Sequence, residues 1–167
     1  MATPTTLPAT FVAGAILTAQ QQNDLRGAFR VLQVVSSGSV SNLTASNTTA
    51  YADATGMTLN ITPSSTSSKV LVIVQSNYFN SGGNANNGMN VQLLRGATVI
   101  ATPHTLLGYT GTLLPQKGAF SIVYFDSPST ISSTTYKIQI ANNVAANNVQ
   151  LNGNSATSTV TLLEISA

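Results

Sequence analysis

The sequence predicts an all-β protein: a jelly-roll β-sandwich over residues 31–167, preceded by an N-terminal arm and short helix over residues 1–30. Three observations carry that prediction. Eight to ten short apolar runs are separated by clusters of Ser, Thr, Asn, Gly and Pro, the residues that make turns. Several of the runs, KVLVIV and FSIVYF among them, are β-branched and aromatic, which a disordered chain of similar polarity lacks. No helical periodicity follows residue 30. Eight strands in two sheets make a jelly roll. An immunoglobulin-like Greek-key sandwich satisfies the same periodicity, although the paired Cys and the Trp of that fold are absent.

Residues 1–10, MATPTTLPAT, hold two prolines and form an extended arm too short for a core of its own. Residues 11–17 are apolar. Thr18 and Gln21 stand at capping-box spacing, so a helix is expected over 19–26, with Gly27 suited to its end. About eight residues of helix do not stand alone in water, so this helix must dock on its own body or on a neighbour. The body opens with a strand at VLQVVS (31–36), and a further strand is expected around 49–52. MTLNITP (57–63) alternates with period two until proline stops it. KVLVIVQSNYF (69–79) is a continuous apolar run and predicts a central strand. SGGNANNG (81–88) is the most flexible loop. MNVQLLRGATVIA predicts a hairpin turning near Arg95–Gly96, and residues 102–117 a long loop or irregular edge. Strands follow at GAFSIVYFDSP (118–128), TYKIQIA (135–141), NVQLN and STVTLLEIS.

Composition narrows the function classes. Charged residues are 6% of the chain, far below the usual quarter, and Ser, Thr and Asn fill the gap with 19, 23 and 16 copies. Few charges leave little repulsion between copies, which favours a tightly assembled subunit over a free monomer. The net charge is +2, and the six Lys/Arg are scattered, so no cluster neutralises several phosphates and a nucleic-acid partner is not expected. There is no Cys, hence no disulfide and no thiolate metal site. The N-terminus lacks a basic n-region, and no stretch approaches the ~18 apolar residues of a membrane helix. Neither export by a signal peptide nor membrane insertion is expected.

Catalytic constellations are sparse. His104 is the only histidine, and no Ser lies in a G-x-S-x-G frame. Without an H-x-H pair it is expected to be a loop or interface residue rather than a metal ligand. The four acids, Asp24, Asp53, Asp126 and Glu164, are spread along the chain rather than paired for glycoside cleavage, and Asp126, before Ser127–Pro128, suits a turn. SGGNANNG lacks the G-K-[ST] ending of a phosphate loop. Neither an enzyme nor a cofactor is expected. Phe120 and Tyr124 share one face of a strand and belong to a core. Tyr109, between Gly108 and Thr110, is the best exposed aromatic for stacking on a sugar, and Asn84, Asn86 and Asn87 of the neighbouring loop are candidate receptor contacts.

Three stretches carry a family resemblance. TFVAGAILTAQQQNDLR resembles an N-terminal element of bacteriophage virion proteins, matched by Phe11, Ala13, Gly14, Leu17, Thr18, Ala19, Asn23 and Leu25. TAYADATGMTLNITPSSTSSKVLVIV resembles the start of a jelly-roll domain in phage fibre and head-fibre proteins, and the ending TLLEISA resembles their last strand. The resemblance covers the chain at these three places, not continuously. It implies a non-enzymatic structural protein of a tailed-phage virion, usually a homotrimer: a capsid decoration, head-fibre or short-fibre subunit. Phe11, Leu17, Thr18, Gln21, Asn23, Leu25, Arg26 and Arg30 would then anchor it to capsid or tail proteins. A receptor-binding tip that recognises host-surface glycans through loops 81–88 and 102–117 is the alternative.

Overall fold

A computed structural model of the chain describes residues 14, 16, 18, 19, 30–37, 44–81, 86–111, 114–145, 148–151 and 156–166. The arm over 1–10 lies outside the described residues, as does the helix expected over 19–26 except for Ala19. The described body is all-β. Its strands are β1 (Val31–Ser36), β2 (Thr44–Ser46), β3 (Ala52–Ile61), β4 (Lys69–Asn80), β5 (Asn87–Arg95), β6 (Thr98–Thr110), β7 (Gln116–Asp126), β8 (Thr134–Asn142), β9 (Val149–Leu151) and β10 (Thr159–Ile165).

They form two antiparallel sheets consistent with a β-sandwich. One has the order β3-β8-β5-β6. In the other, β4 is central: β7 pairs along one side, and β10 and then β9 pair along the other. β1 lies outside β10 and β2 outside β9, so this six-stranded sheet is four strands wide. Period-two alternation sends one face of each strand inward. Val70, Val72 and Val74 of β4 meet Tyr136, Ile138 and Ile140 of β8 and Val160 and Leu162 of β10 in one buried cluster. Each such side chain stabilises the fold by about 1.5–3 kcal/mol on burial.

One expectation needs correction, and one pair of alternatives is decided. The strand expected around 49–52 is a bend over 48–50, with β2 before it and β3 after it. Thr48 causes the bend: its Oγ1 accepts the Ala50 N–H at 2.8 Å, a local bond that competes with the ladder. Of the two alternatives for residues 102–117, the irregular edge is the one found: β6 runs to Thr110 along the sheet edge with register shifts against β5, and β7 starts at Gln116. Pro103 is accommodated because β6 is the sheet edge. Left-handed φ angles at Leu106 (58°) and Gly108 (66°) accompany register shifts against β5, which hide the alternation from a sequence reading.

Polar contacts tie the layers together. Asp126, at the end of β7, accepts from Arg95 Nη1 at 2.9 and 3.0 Å and from the Tyr136 hydroxyl at 2.6 Å. It therefore joins the two sheets and is not merely a turn former. Burial, then the bond to Asp126, raises the Tyr136 pKa well above its ordinary value of 10. Glu164 occupies an inward position of β10 and is 1% exposed. It accepts from the Ser64 N–H and hydroxyl, both at 2.7 Å, and from Gln33 Nε2 at 2.8 Å. His104 sits on β6, not in a loop; its Nε2–H donates to the Ser121 carbonyl of β7 at 3.0 Å, and its ring meets Phe120 edge-on.

Candidate functional site: a polar rim opposite the leader

The body has two distinct ends. At one, Val31 and Lys69 both pair with Ile165, and Arg30 exchanges bonds with Ser166: its N–H donates to the Ser166 hydroxyl at 2.8 Å, and its carbonyl accepts the Ser166 N–H at 2.9 Å. The chain therefore enters β1, through Arg30, beside the C-terminal strand. Of the candidate anchoring residues, Thr18 is exposed and Arg30 is fixed at this end. Phe11, Leu17, Gln21, Asn23, Leu25 and Arg26 lie outside the described residues. Gly14 has open space around it, and Ile16 is 94% exposed.

The other end lies eleven steps along β4, about 36 Å away at ~3.3 Å per residue. There Asn86 adopts φ 67°, a conformation Asn tolerates better than most residues. Its side-chain oxygen accepts the Tyr109 hydroxyl at 2.6 Å, and its carbonyl accepts from Asn143 Nδ2 at 2.9 Å. Tyr109 is 51% exposed, so its hydroxyl is held while part of its ring stays open to solvent. Asn87, by contrast, is fully buried. Its Nδ2 donates to Asn80 Oδ1 at 2.8 Å and its Oδ1 accepts the Gly88 N–H at 2.9 Å. As a receptor contact Asn87 is corrected: it supports the rim from beneath. Asn84 lies outside the described residues.

Two glycines shape this end. A Cβ at Gly108 would come within 2.6 Å of the Tyr78 ring, and one at Gly118 within 2.6 Å of the Tyr78 hydroxyl. The ring of Tyr78 thus packs directly on the backbones of β6 and β7, which no larger residue at either position permits. Asn80 Nδ2 donates to the Gly108 carbonyl at 3.0 Å and secures the segment that carries Tyr109.

The groups joined at this rim, Tyr109, Asn86 and Asn143, are neutral hydrogen-bonding side chains, and Lys117 lies over the Phe79 ring near the same end of β4. The three described acids are each engaged structurally. Asp53 accepts from Lys137 Nζ at 2.9 Å and Gln139 Nε2 at 2.8 Å, and the Gln139 bond, followed by that of Lys137, lowers its pKa. Burial disfavours ionised Glu164, but the Ser64 and Gln33 bonds outweigh it and hold its pKa below the ordinary value. Among the described residues no three His, Cys, Asp or Glu gather to hold a metal. A shallow concavity of about 450 Å³ between Gln75, Asn77, Ala119, Ser121 and Thr157 is lined by neutral side chains. The buried Ser76 and Ser158 hydroxyls near it bond to each other at 2.7 Å.

The structural role of Glu164 had a visible signal in the sequence: in STVTLLEIS it falls in phase with Val160 and Leu162. That of Asp126 had none, since its partners Arg95 and Tyr136 come from other strands. No protein-family model and no curated protein matches the chain.

Proposed function

We propose that the chain is a non-enzymatic structural subunit of a bacteriophage particle, a jelly-roll sandwich assembled as a homotrimer. Its leader attaches to other virion proteins and its opposite rim faces outward. The observation that carries this reading is the two-ended build: the leader joins beside Ile165 and Ser166, while the exposed Tyr109–Asn86 rim stands about 36 Å away along β4. The strand pairing supports the jelly roll. β5 pairs β6, β4 pairs β7, β3 pairs β8, and the interrupted strands β1/β2 pair β10/β9. These pairings nest like one long hairpin rolled up, as in a double Greek key. The resemblance of the leader to phage virion elements supports the location, and the low charge supports assembly.

Deleting residues 1–29 tests the anchor. The expected result is a body that keeps its β-sheet circular dichroism but is lost from purified particles. Undiminished incorporation would refute it.

A second reading is adhesion to host-surface glycans, favoured by the half-exposed Tyr109 ring whose hydroxyl Asn86 fixes in place. Such a ring offers a preset stacking face. Tyr109→Ala is expected to reduce adsorption to host cells without affecting assembly; normal adsorption would remove this reading.

A further inference from the structure

The outward face of the six-stranded sheet is unusually apolar. Val34 of β1 pairs with Leu163 of β10, Leu163 with Leu71 of β4, and Leu71 with Phe125 of β7. One apolar row therefore crosses all four strands. Ile73 and Val123 form a pair in the next outward row. Val34, Val123 and Phe125 are 58%, 69% and 56% exposed. This is why KVLVIV and FSIVYF are continuous rather than alternating runs. Strands of that kind are ordinarily covered on both faces, and here the described chain covers only the inner one.

We propose that this outward face is where copies of the chain meet, with the Val34–Leu163–Leu71–Phe125 row at the centre of the contact. The inference rests on the self-association proposed above and names the surface responsible. Size supports a second copy as the occupant. A face four strands wide and twelve residues long presents roughly 19 by 36 Å, or about 700 Å². Brought together around a threefold axis, three such faces offer up to about 2,100 Å² in all, about 700 Å² per copy, close to the ~800 Å² per partner of a standard interface. Charge supports it too. Both rows are free of charged side chains, so identical copies meet without like-charge repulsion there. The cations of the strands that carry the rows are held outside them: Lys69 donates to Ser127 at 2.9 Å, and Lys117 lies over the Phe79 ring. The leader of the same chain does not supply the cover at its described points, since Ile16 stands open to solvent.

The test is sedimentation equilibrium of the full chain beside Val123→Thr/Phe125→Thr, which keeps strand-forming side chains. The expected result is an assembled parent and a double variant whose association is weaker by roughly 30-fold or more, with unchanged β-sheet circular dichroism. A parent and variant assembled alike would overturn the assignment of this face while leaving self-association standing. A monomeric parent would overturn both. Since the chain has no cysteine, Phe125→Cys offers a second readout that does not depend on the double variant folding. The thiol should be shielded from a maleimide in the assembled chain and labelled on dilution, whereas one at Tyr109→Cys should label at both concentrations. Equal, rapid labelling of Cys variants at 125 and 109 in the assembled chain would count against the proposal.

Discussion

Replacing Asp126 by Ala should destabilise the sandwich by about 3 kcal/mol, because it strips a buried contact between the two sheets. The carboxylate is buried and takes three bonds, two from Arg95 Nη1 and one from the Tyr136 hydroxyl. Without it the fully buried Tyr136 hydroxyl loses its acceptor, and Arg95 loses its anion. An orphaned buried donor costs about 1–3 kcal/mol and breaking a buried ion pair about 3–5 kcal/mol. The Arg95 side chain is 32% exposed and water recovers part of that, so the lower end applies. At about 2–4 °C per kcal/mol for a chain of this length, Tm should fall by about 6–12 °C. Tyr136→Phe removes one bond and leaves no orphan on the ring, so its effect should be about 1.5–3 kcal/mol. Urea unfolding at matched protein concentration is the assay, since association would make stability concentration-dependent. Asp126→Ala within about 0.5 kcal/mol of the parent, at unchanged m, would refute the role given to this contact.

Three further outcomes follow from named contacts. Glu164 has a folded pKa below 4.5, so the stability it contributes is full above pH 4.5 and is lost as pH falls through the folded value. Glu164→Gln should therefore flatten the acid limb of the stability curve below pH 4.5, as seen by urea titration; an unchanged limb would contradict this. Tyr136 has the opposite sign: its raised pKa gives stability that is full below pH 10 and is lost as pH rises beyond it, and Tyr136→Phe should remove that alkaline loss. Gly118→Ala drives a methyl against the Tyr78 ring and should cost about 1–3 kcal/mol in thermal unfolding, with Gly108→Ala costing at least as much because φ is also positive there.

What the sequence revealed follows from the range of the interactions involved. β1, β4, β8 and β10 were legible because a period of two, or a β-branched run, is a local property of six to twelve residues. The β5–β6 hairpin was legible because Gly96 supplies the positive φ of its turn. The second half of β6 was not, since Pro103, the left-handed Leu106 and Gly108 break the pattern while the strand continues along an edge. Tyr109 could be read as exposed, but the sequence had no means of separating Asn86, at the surface, from Asn87, beneath it. That difference is set by Asn80, seven residues away in the chain. The outward apolar row was half legible: the continuous runs advertised two apolar faces, while the register that aligns Val34, Leu163, Leu71 and Phe125 is a property of the assembled sheet.

The mass of the purified full-length chain at micromolar concentration bears most directly on whether these subunits function in company. Sedimentation equilibrium should give about 52 kDa, three times the 17.2 kDa chain. A single species at 17.2 kDa across that range would contradict the account at its root.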